Sequence, residues 1–159
     1  MTHAHALTRR SFIAAIAGTA LLRPAWADDG LPTIRVHRDP NCGCCGAWVA
    51  HLKAEGFPVD LVETAELNRV KARLGVPPSL AACHTAEVAG YVVEGHVPAG
   101  AIKRLLAERP DAKGLAVPGM PVGSPGMDAE GTAPETYEVI LFGPAGQRPF
   151  ARYWGSEEA

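Results

Sequence analysis

Three of the four cysteines of the chain lie within four positions, at Cys42, Cys44 and Cys45. A disulfide stabilises a fold mainly by closing a loop in the unfolded chain, and loops as short as these close almost nothing. The cluster therefore cannot hold distant segments together, and the fold must rest on an ordinary apolar core. An apolar fraction of 47% is sufficient for such a core. The cluster itself predicts chemistry, either a soft-metal site or a thiol redox site.

The cluster lies between a predicted strand and a predicted helix. Residues 34–39 alternate apolar and polar side chains, and residues 48–52 have helical apolar spacing. Cys42 and Cys45 then form a Cys-x-x-Cys pair at a helix N-terminus, where backbone N–H groups stabilise a thiolate. Cys44 adds a thiol beside that pair, which would interfere with simple disulfide exchange but suits a metal cage.

The fourth cysteine, Cys83, is followed directly by His84. We expect this thiol and imidazole to converge with the cluster; the alternative is a buried cysteine beside a chance histidine. Zinc would accept a tetrahedral site of Cys42, Cys45, Cys83 and His84. That assignment leaves Cys44 and two methionines without a role.

The two methionines lie in residues 114–134, which are too rich in glycine and proline for a helix or a central strand. Met120 and Met127 each end a Pro-Gly-Met triplet and lie away from any predicted core face. Thioethers bind Cu(I) well and Zn(II) poorly. We predict that both methionines are metal ligands, on a loop that lies across the cysteine site as a flap. A surface role is the alternative.

The other histidines of the predicted domain have simpler interpretations. The strand pattern places His37 on the face opposite the apolar residues, which predicts a solvated side chain. His51 is interpreted as an ordinary histidine on a helix face. His96 precedes a predicted third helix that starts at Pro98, and its predicted role is to cap that helix.

Residues 1–27 have the features of an export signal. Arg9 and Arg10 precede an apolar run, and Ala25-Trp26-Ala27 forms a small-residue cleavage site, with cleavage expected after Ala27. The arginine pair predicts a cleaved signal of the twin-arginine type and a periplasmic location; a Sec-type signal is the alternative. No membrane span is expected after cleavage, because the apolar run is far shorter than the roughly 20 residues that a helix needs to cross a bilayer. The rest, residues 28–159, is predicted to be a single domain.

The order of predicted elements after residue 28 is strand, helix, strand, helix, strand-rich segment, helix, loop and hairpin. Residues 59–63 form the second strand, residues 86–94 form a strand or a hairpin that bends at Gly90, and residues 137–154 form the terminal hairpin. This order predicts an α/β fold with a central mixed sheet, flanking helices and a Gly/Pro/Met-rich loop. Cysteines between a strand and a helix, followed by another strand and helix, are typical of thioredoxin-like folds.

The charge of the chain excludes one class of partner. The formal net charge is −2, and no basic cluster stands out in the predicted domain. Nucleic-acid binding needs a positive surface to neutralise phosphates. We therefore predict no nucleic-acid partner.

Taken together, these motifs resemble the CopG-type copper-resistance proteins of bacterial periplasms. The resemblance covers nearly all of residues 28–159 and is carried by residues 42–45, 83–86, 90–99 and 117–127. It implies a thioredoxin-like fold and a site that binds copper, as a Cu(I)–thiolate cluster. The residues that match the family's thiols one by one are Cys42, Cys44, Cys45 and Cys83. Those that match it in sequence alone are His84, Met120 and Met127.

The sequence thus predicts a periplasmic protein that sequesters, transfers or redox-handles Cu(I) and contributes to copper resistance. Its partners would be copper ions and other copper-handling proteins of the periplasm. This prediction favours a metal-binding protein over an enzyme. The alternatives are a thiol–disulfide oxidoreductase with Cys42 as nucleophile and Cys45 as resolving thiol, and a zinc-stabilised module.

Overall fold

The computed structural model describes residues 30–159, so the predicted signal segment at residues 1–27 lies outside the described residues. The described part contains one eight-stranded sheet, three α-helices and a short 3₁₀ helix. The strands are β1 Ile34–Arg38, β2 Val59–Glu63, β3 His84–Val88, β4 Tyr91–Glu94, β5 Gly114–Ala116, β6 Thr136–Gly143, β7 Gly146–Trp154 and β8 Glu157–Glu158. The helices are α1 Gly43–Ala54, α2 Leu67–Leu74, the 3₁₀ helix Pro78–Leu80 and α3 Ala99–Glu108.

The sheet is mixed, with the strand order β2-β1-β3-β4-β5-β6-β7-β8. The pairs β1/β2 and β4/β5 are parallel, and the other neighbours are antiparallel. The parallel pairs are those joined through helices, as a crossover connection requires. The predicted mixed-sheet α/β fold is therefore confirmed, including the terminal hairpin of β6 and β7. The finer likeness to thioredoxin-like folds stays a prediction.

The main core lies between one face of the sheet and the helices α1 and α3. Side chains of a strand alternate between its two faces, and on this face they meet Trp48 and Leu52 of α1 and Ile102 and Leu105 of α3, all fully buried. The apolar spacing predicted for residues 48–52 is thus the buried stripe of α1. Burial of this stripe fixes how the cysteine-bearing end of α1 sits on the sheet.

The opposite face of the sheet is also covered. There α2 contacts β1 and β3, and a smaller core forms around Val76, Val92 and Phe142. This covering explains why the predicted solvation of His37 is wrong. His37 lies on the second face, is only 7% exposed and bonds to Glu87 through Nε2 at 2.9 Å.

One short strand lies inside the segment predicted to be loop. Residues Gly114–Ala116 form β5, between β4 and β6. A Cβ on Gly114 would lie 1.8 Å from the carbonyl oxygen of Val92, so glycine is needed for the close backbone approach. The sequence predicted no central strand in residues 114–134, and this prediction is wrong for the first three of them.

Candidate metal centre

Three segments of the chain meet at one end of the sheet. β3 runs antiparallel to β1, with His84 opposite Arg38, so the start of β3 lies beside the end of β1. β3 also pairs with β4, and Thr85 lies opposite Glu94. The cysteine loop after β1, the start of β3 and the segment after β4 therefore converge.

The cysteine loop forms the N-terminus of α1, with Cys42 as the N-cap residue. The amide of Cys42 donates to Asp39 O (3.0 Å), and Nη1 of Arg38 donates to the carbonyl oxygen of Cys42 (3.1 Å). Cys42 and Cys45 are joined by a disulfide. The predicted Cys-x-x-Cys pair at a helix N-terminus is thus present in its oxidised form.

The remaining two cysteines are free thiols that lie beside this disulfide. Cys44 Sγ lies 3.6 Å from Cys42 Sγ and 3.8 Å from Cys83 Sγ. All four sulfurs lie within 4.8 Å of one another. Cys45 is fully buried and the other three are half-buried, so the sulfur cluster has one side open to solvent.

Two buried imidazoles extend the cluster inward from Cys83. His84 Nδ1 lies 3.2 Å and His96 Nε2 3.1 Å from Cys83 Sγ, and both rings are fully buried. The His84 ring packs against Trp48, with ring centroids 4.2 Å apart, and edge-on against His96 at 5.0 Å. We call the six residues the sulfur–imidazole centre: Cys42, Cys44, Cys45, Cys83, His84 and His96.

Hydrogen bonding indicates which nitrogen of the His96 ring carries the proton. His96 Nδ1 lies 2.8 Å from the carbonyl oxygen of Pro125. A carbonyl only accepts, so Nδ1 of the neutral ring is protonated and Nε2 faces the Cys83 thiol as an acceptor. The second ring, His84, has its Nδ1 within bonding distance of the same sulfur, while its Nε2 is one of two buried side-chain N or O atoms among residues 30–159 that have no hydrogen-bond partner.

Burial keeps these groups neutral when no metal is bound. It lowers the pKa of His84 to about 3 and also lowers the pKa of His96. It raises the pKa of Cys83 to about 12, with a further contribution from the neighbouring thiol of Cys44. Neutral imidazoles are the form that binds metals, and a bound cation takes the place of a thiol proton.

The structure brings together five of the seven residues predicted to bind metal: Cys42, Cys44, Cys45, Cys83 and His84. The other two, Met120 and Met127, lie on the loop predicted to cross the site. Its carbonyl at Pro125 reaches His96, whereas the Met120 side chain is 51% exposed. The ligand role of both methionines stays a prediction.

The sequence interpretation missed the role of His96. The predicted cap of α3 by His96 is wrong, because Nε2 of His51 accepts the hydrogen bond from Ala99 N at the start of α3 (3.1 Å). The hairpin of β3 and β4 contained a signal that could have identified His96. Val88 pairs with Tyr91 and Thr85 with Glu94. If the same register is extended beyond the strand ends, Cys83 lies opposite His96.

The donor set fits a soft cation. Four sulfurs and two imidazole nitrogens offer no carboxylate, and thiolates select Cu(I), zinc or iron–sulfur clusters. The unpartnered Nε2 of His84 costs stability unless something binds it. A buried imidazole nitrogen that has no hydrogen-bond partner is available to bind a metal.

Comparisons with known proteins agree with a copper role. A family model described as "Protein of unknown function, DUF411" matches residues 80–127, which include Cys83, His84 and His96. The chain is also 48% identical to the solved structure "Copper resistance protein copG- Form 2", with a TM-score of 0.73 over 77% of this chain and 98% of that one. A second solved structure, "Copper resistance protein copG- Form 1", has the same identity and TM-score over 79% of this chain and 99% of that one. No curated protein matches the sequence.

A helix needs about 20 apolar residues to cross a bilayer. Within residues 30–159, none of the helices is both long and apolar enough to do so.

Proposed function

The chain belongs to the CopG family of copper resistance proteins, and we propose that it binds copper as Cu(I) at the sulfur–imidazole centre. One observation carries this proposal. Four sulfurs from two distant segments lie within 4.8 Å of one another, in contact with a buried imidazole whose Nε2 has no partner. Thiolates and neutral imidazoles are ligands that a soft ion such as Cu(I) accepts.

Three of the four sulfurs form an outer layer of the centre, and the two imidazoles form an inner layer. Cys42, Cys44 and Cys83 are half-buried, so an arriving ion meets sulfur first. His84 and His96 are fully buried behind Cys83. Thiolate sulfurs readily bridge two Cu(I) ions, so this layering supports a small copper–thiolate cluster. Met120 and Met127 are further proposed ligands, tested by replacing each with leucine.

Before all four cysteines can bind copper, the Cys42–Cys45 disulfide must be reduced. A dithiol reductant would supply the two electrons, becoming a disulfide itself and leaving two thiols at the N-terminus of α1. In this account the chain sequesters Cu(I) or passes it to other copper-handling proteins. We place this activity in the periplasm, after export directed by residues 1–27.

The disulfide supports a second candidate function, a thiol–disulfide oxidoreductase. Cys42 is half-buried at the start of α1, and Cys45 is fully buried behind it. A partner's thiolate would attack Cys42 Sγ and release Cys45 as a thiolate, and the partner's second thiol would then release Cys42. The partner dithiol becomes a disulfide, and the two cysteines become thiols.

Cys44→Ser separates the two functions. A copper cage loses one sulfur, so the Cu(I) affinity of the reduced chain falls in competition with a chromogenic chelator. A dithiol enzyme keeps Cys42 and Cys45, so its exchange rate with a small dithiol is spared. Unchanged Cu(I) affinity together with retained exchange activity would favour the enzyme. A parallel titration with Zn(II) tests the zinc-stabilised alternative, which predicts a preference for zinc over copper.

A further inference from the structure

The loop with the two Pro-Gly-Met triplets forms a tight turn at residues 124–127, which we call the clasp. The amide of Met127 donates to Ser124 O (2.7 Å), and the amide of Gly123 donates to Met127 O (3.0 Å). The hydroxyl of Ser124, a fully buried residue, donates to the carbonyl oxygen of Pro121 (2.7 Å). The clasp is therefore a hydrogen-bonded piece of backbone with a defined shape.

The clasp bonds directly to an imidazole of the sulfur–imidazole centre. Its carbonyl at Pro125 accepts the Nδ1 proton of His96 over 2.8 Å. His96 Nε2 consequently has a free lone pair, which faces the sulfur of Cys83 at 3.1 Å. The hydrogen bond made by one ring nitrogen determines which other nitrogen can bind a metal.

The clasp also packs against the helix that carries the cysteines. Gly126 has φ +87°, and a Cβ there would lie 2.6 Å from Trp48 N and 3.1 Å from the carbonyl carbon of Ala47. Contacts this short with helix backbone leave no room for a side chain. One turn of loop thus touches both α1 and His96.

We propose that the clasp is the positioning element of the sulfur–imidazole centre: Pro125 fixes the tautomer of His96, and Gly126 fixes the clasp against α1. The inference rests on the proposed function, because a free Nε2 on His96 matters only if a metal binds there. The bond to Pro125 orients the ring and raises the basicity of the free nitrogen. If the clasp is displaced, the proton of the His96 ring can lie on Nε2 instead of Nδ1. Nε2 then has no lone pair with which to bind a metal. The second Pro-Gly-Met triplet thus acts on His96 through its backbone.

Two glycine-to-alanine variants of the same loop test the proposal. Gly126→Ala and Gly131→Ala both put a side chain on a residue of positive φ, +87° and +72° respectively. Only the first meets neighbouring backbone, whereas nothing lies within 4 Å of a Cβ at residue 131. We expect Gly126→Ala to weaken Cu(I) binding about 10- to 100-fold, measured by competition with a chelator. The matched control, Gly131→Ala, should bind Cu(I) as the wild type does.

A second measurement reports the tautomer itself, in the metal-free chain. The ¹⁵N chemical shifts of the His96 ring should show Nδ1 protonated in the wild type and in Gly131→Ala. Gly126→Ala should show a mixture of both tautomers. A merely structural role of Gly126 would change the stability and leave this signal where it is.

Two results would overturn the proposal. One is a wild-type His96 with the proton on Nε2; the other is a folded Gly126→Ala chain with wild-type Cu(I) affinity. If Gly126→Ala does not fold, Ser124→Ala replaces it, because this variant loses the bond from the Ser124 hydroxyl to Pro121. We expect Ser124→Ala to weaken Cu(I) binding by a smaller factor. Unchanged Cu(I) affinity would contradict the positioning role of the clasp. A wild-type chain with the expected tautomer that binds no Cu(I) overturns the proposed function instead.

Discussion

At the scale of single residues, Cys83 joins the two halves of the sulfur–imidazole centre. Its sulfur is 3.8 Å from the thiol of Cys44 and within 3.2 Å of a nitrogen of both His84 and His96. Burial raises its pKa to about 12, so a metal that binds there must displace a proton. Cys83 is therefore the ligand that both layers share.

Cys83→Ser should weaken Cu(I) binding by more than the roughly 10- to 100-fold that loss of an outer-shell partner costs. A hydroxyl is a hard, weak ligand for Cu(I), and the sulfur layer loses its link to the imidazoles. The measurement is a chelator competition on the reduced chain. Ala82→Ser, which adds a hydroxyl one residue earlier, is the control and should keep wild-type affinity. Equal affinities of the two variants would contradict a ligand role for Cys83.

His84→Phe should change stability and copper binding in opposite directions. Phenylalanine keeps a ring against Trp48 and removes the buried, unpartnered Nε2, whose burial costs about 1–3 kcal/mol. This gain should exceed the loss of the weak bond between Nδ1 and the sulfur of Cys83. We expect the free energy of unfolding of the metal-free chain to rise and the Cu(I) affinity to fall. Denaturant unfolding and a chelator competition measure the two effects. A variant that is less stable but binds copper normally would show that His84 has only a packing role.

At the scale of secondary-structure elements, α2 anchors the strand that carries the centre. Lys71 of α2 bonds to Glu94 on β4 (2.5 Å) and to the hydroxyl of Thr85 on β3 (2.9 Å), next to His84. Glu94 also accepts hydrogen bonds from the amide of Ala82 (2.6 Å) and from the hydroxyl of Thr85 (2.6 Å). The start of β3 is thus bonded on both sides to one buried carboxylate.

Lys71→Met should lower the free energy of unfolding by about 3–5 kcal/mol. The substitution leaves Glu94, which is fully buried, without its cation. Arg69→Met is the matched control, because it removes an exposed cation of the same helix that pairs with Glu66. That control should cost no more than about 1 kcal/mol. Similar losses for the two variants, measured by urea unfolding, would mean that the buried pair has no special role.

The contact between α1 and α3 should depend on pH through His51. Its Nε2 accepts from Ala99 N, and burial lowers its pKa from the ordinary value of 6.5. Below pH 6.5 the unfolded chain takes up a proton that the folded His51 resists, so stability falls as the pH decreases. His51→Gln keeps an acceptor that does not titrate. Its free energy of unfolding should therefore fall less steeply between about pH 7 and 5 than that of the wild type; equal slopes would contradict this role.

At the scale of the whole molecule, the sequence indicated most of the elements but not how they cover one another. The period-two pattern of residues 34–39 predicted β1, yet it could not show that α2 covers the second face and buries His37. The four cysteines and His84 were predictable because their chemistry is rare in sequence. His96 was not, because its role depends on strand register and on a carbonyl 29 residues away. Long-range contacts of this kind leave no local pattern.

The sheet brings residues that are distant in the sequence together in the sulfur–imidazole centre. The order β1-β3-β4 puts three chain segments at one end, and α1 and the clasp close over them. The most direct test of this account is an anaerobic Cu(I) titration of the reduced chain, with free thiols counted in parallel. We predict that copper is retained and that Cys42, Cys44, Cys45 and Cys83 are all protected from alkylation. No retained copper, together with a Cys42–Cys45 disulfide that reduces and re-forms reversibly, would contradict the account and favour the oxidoreductase.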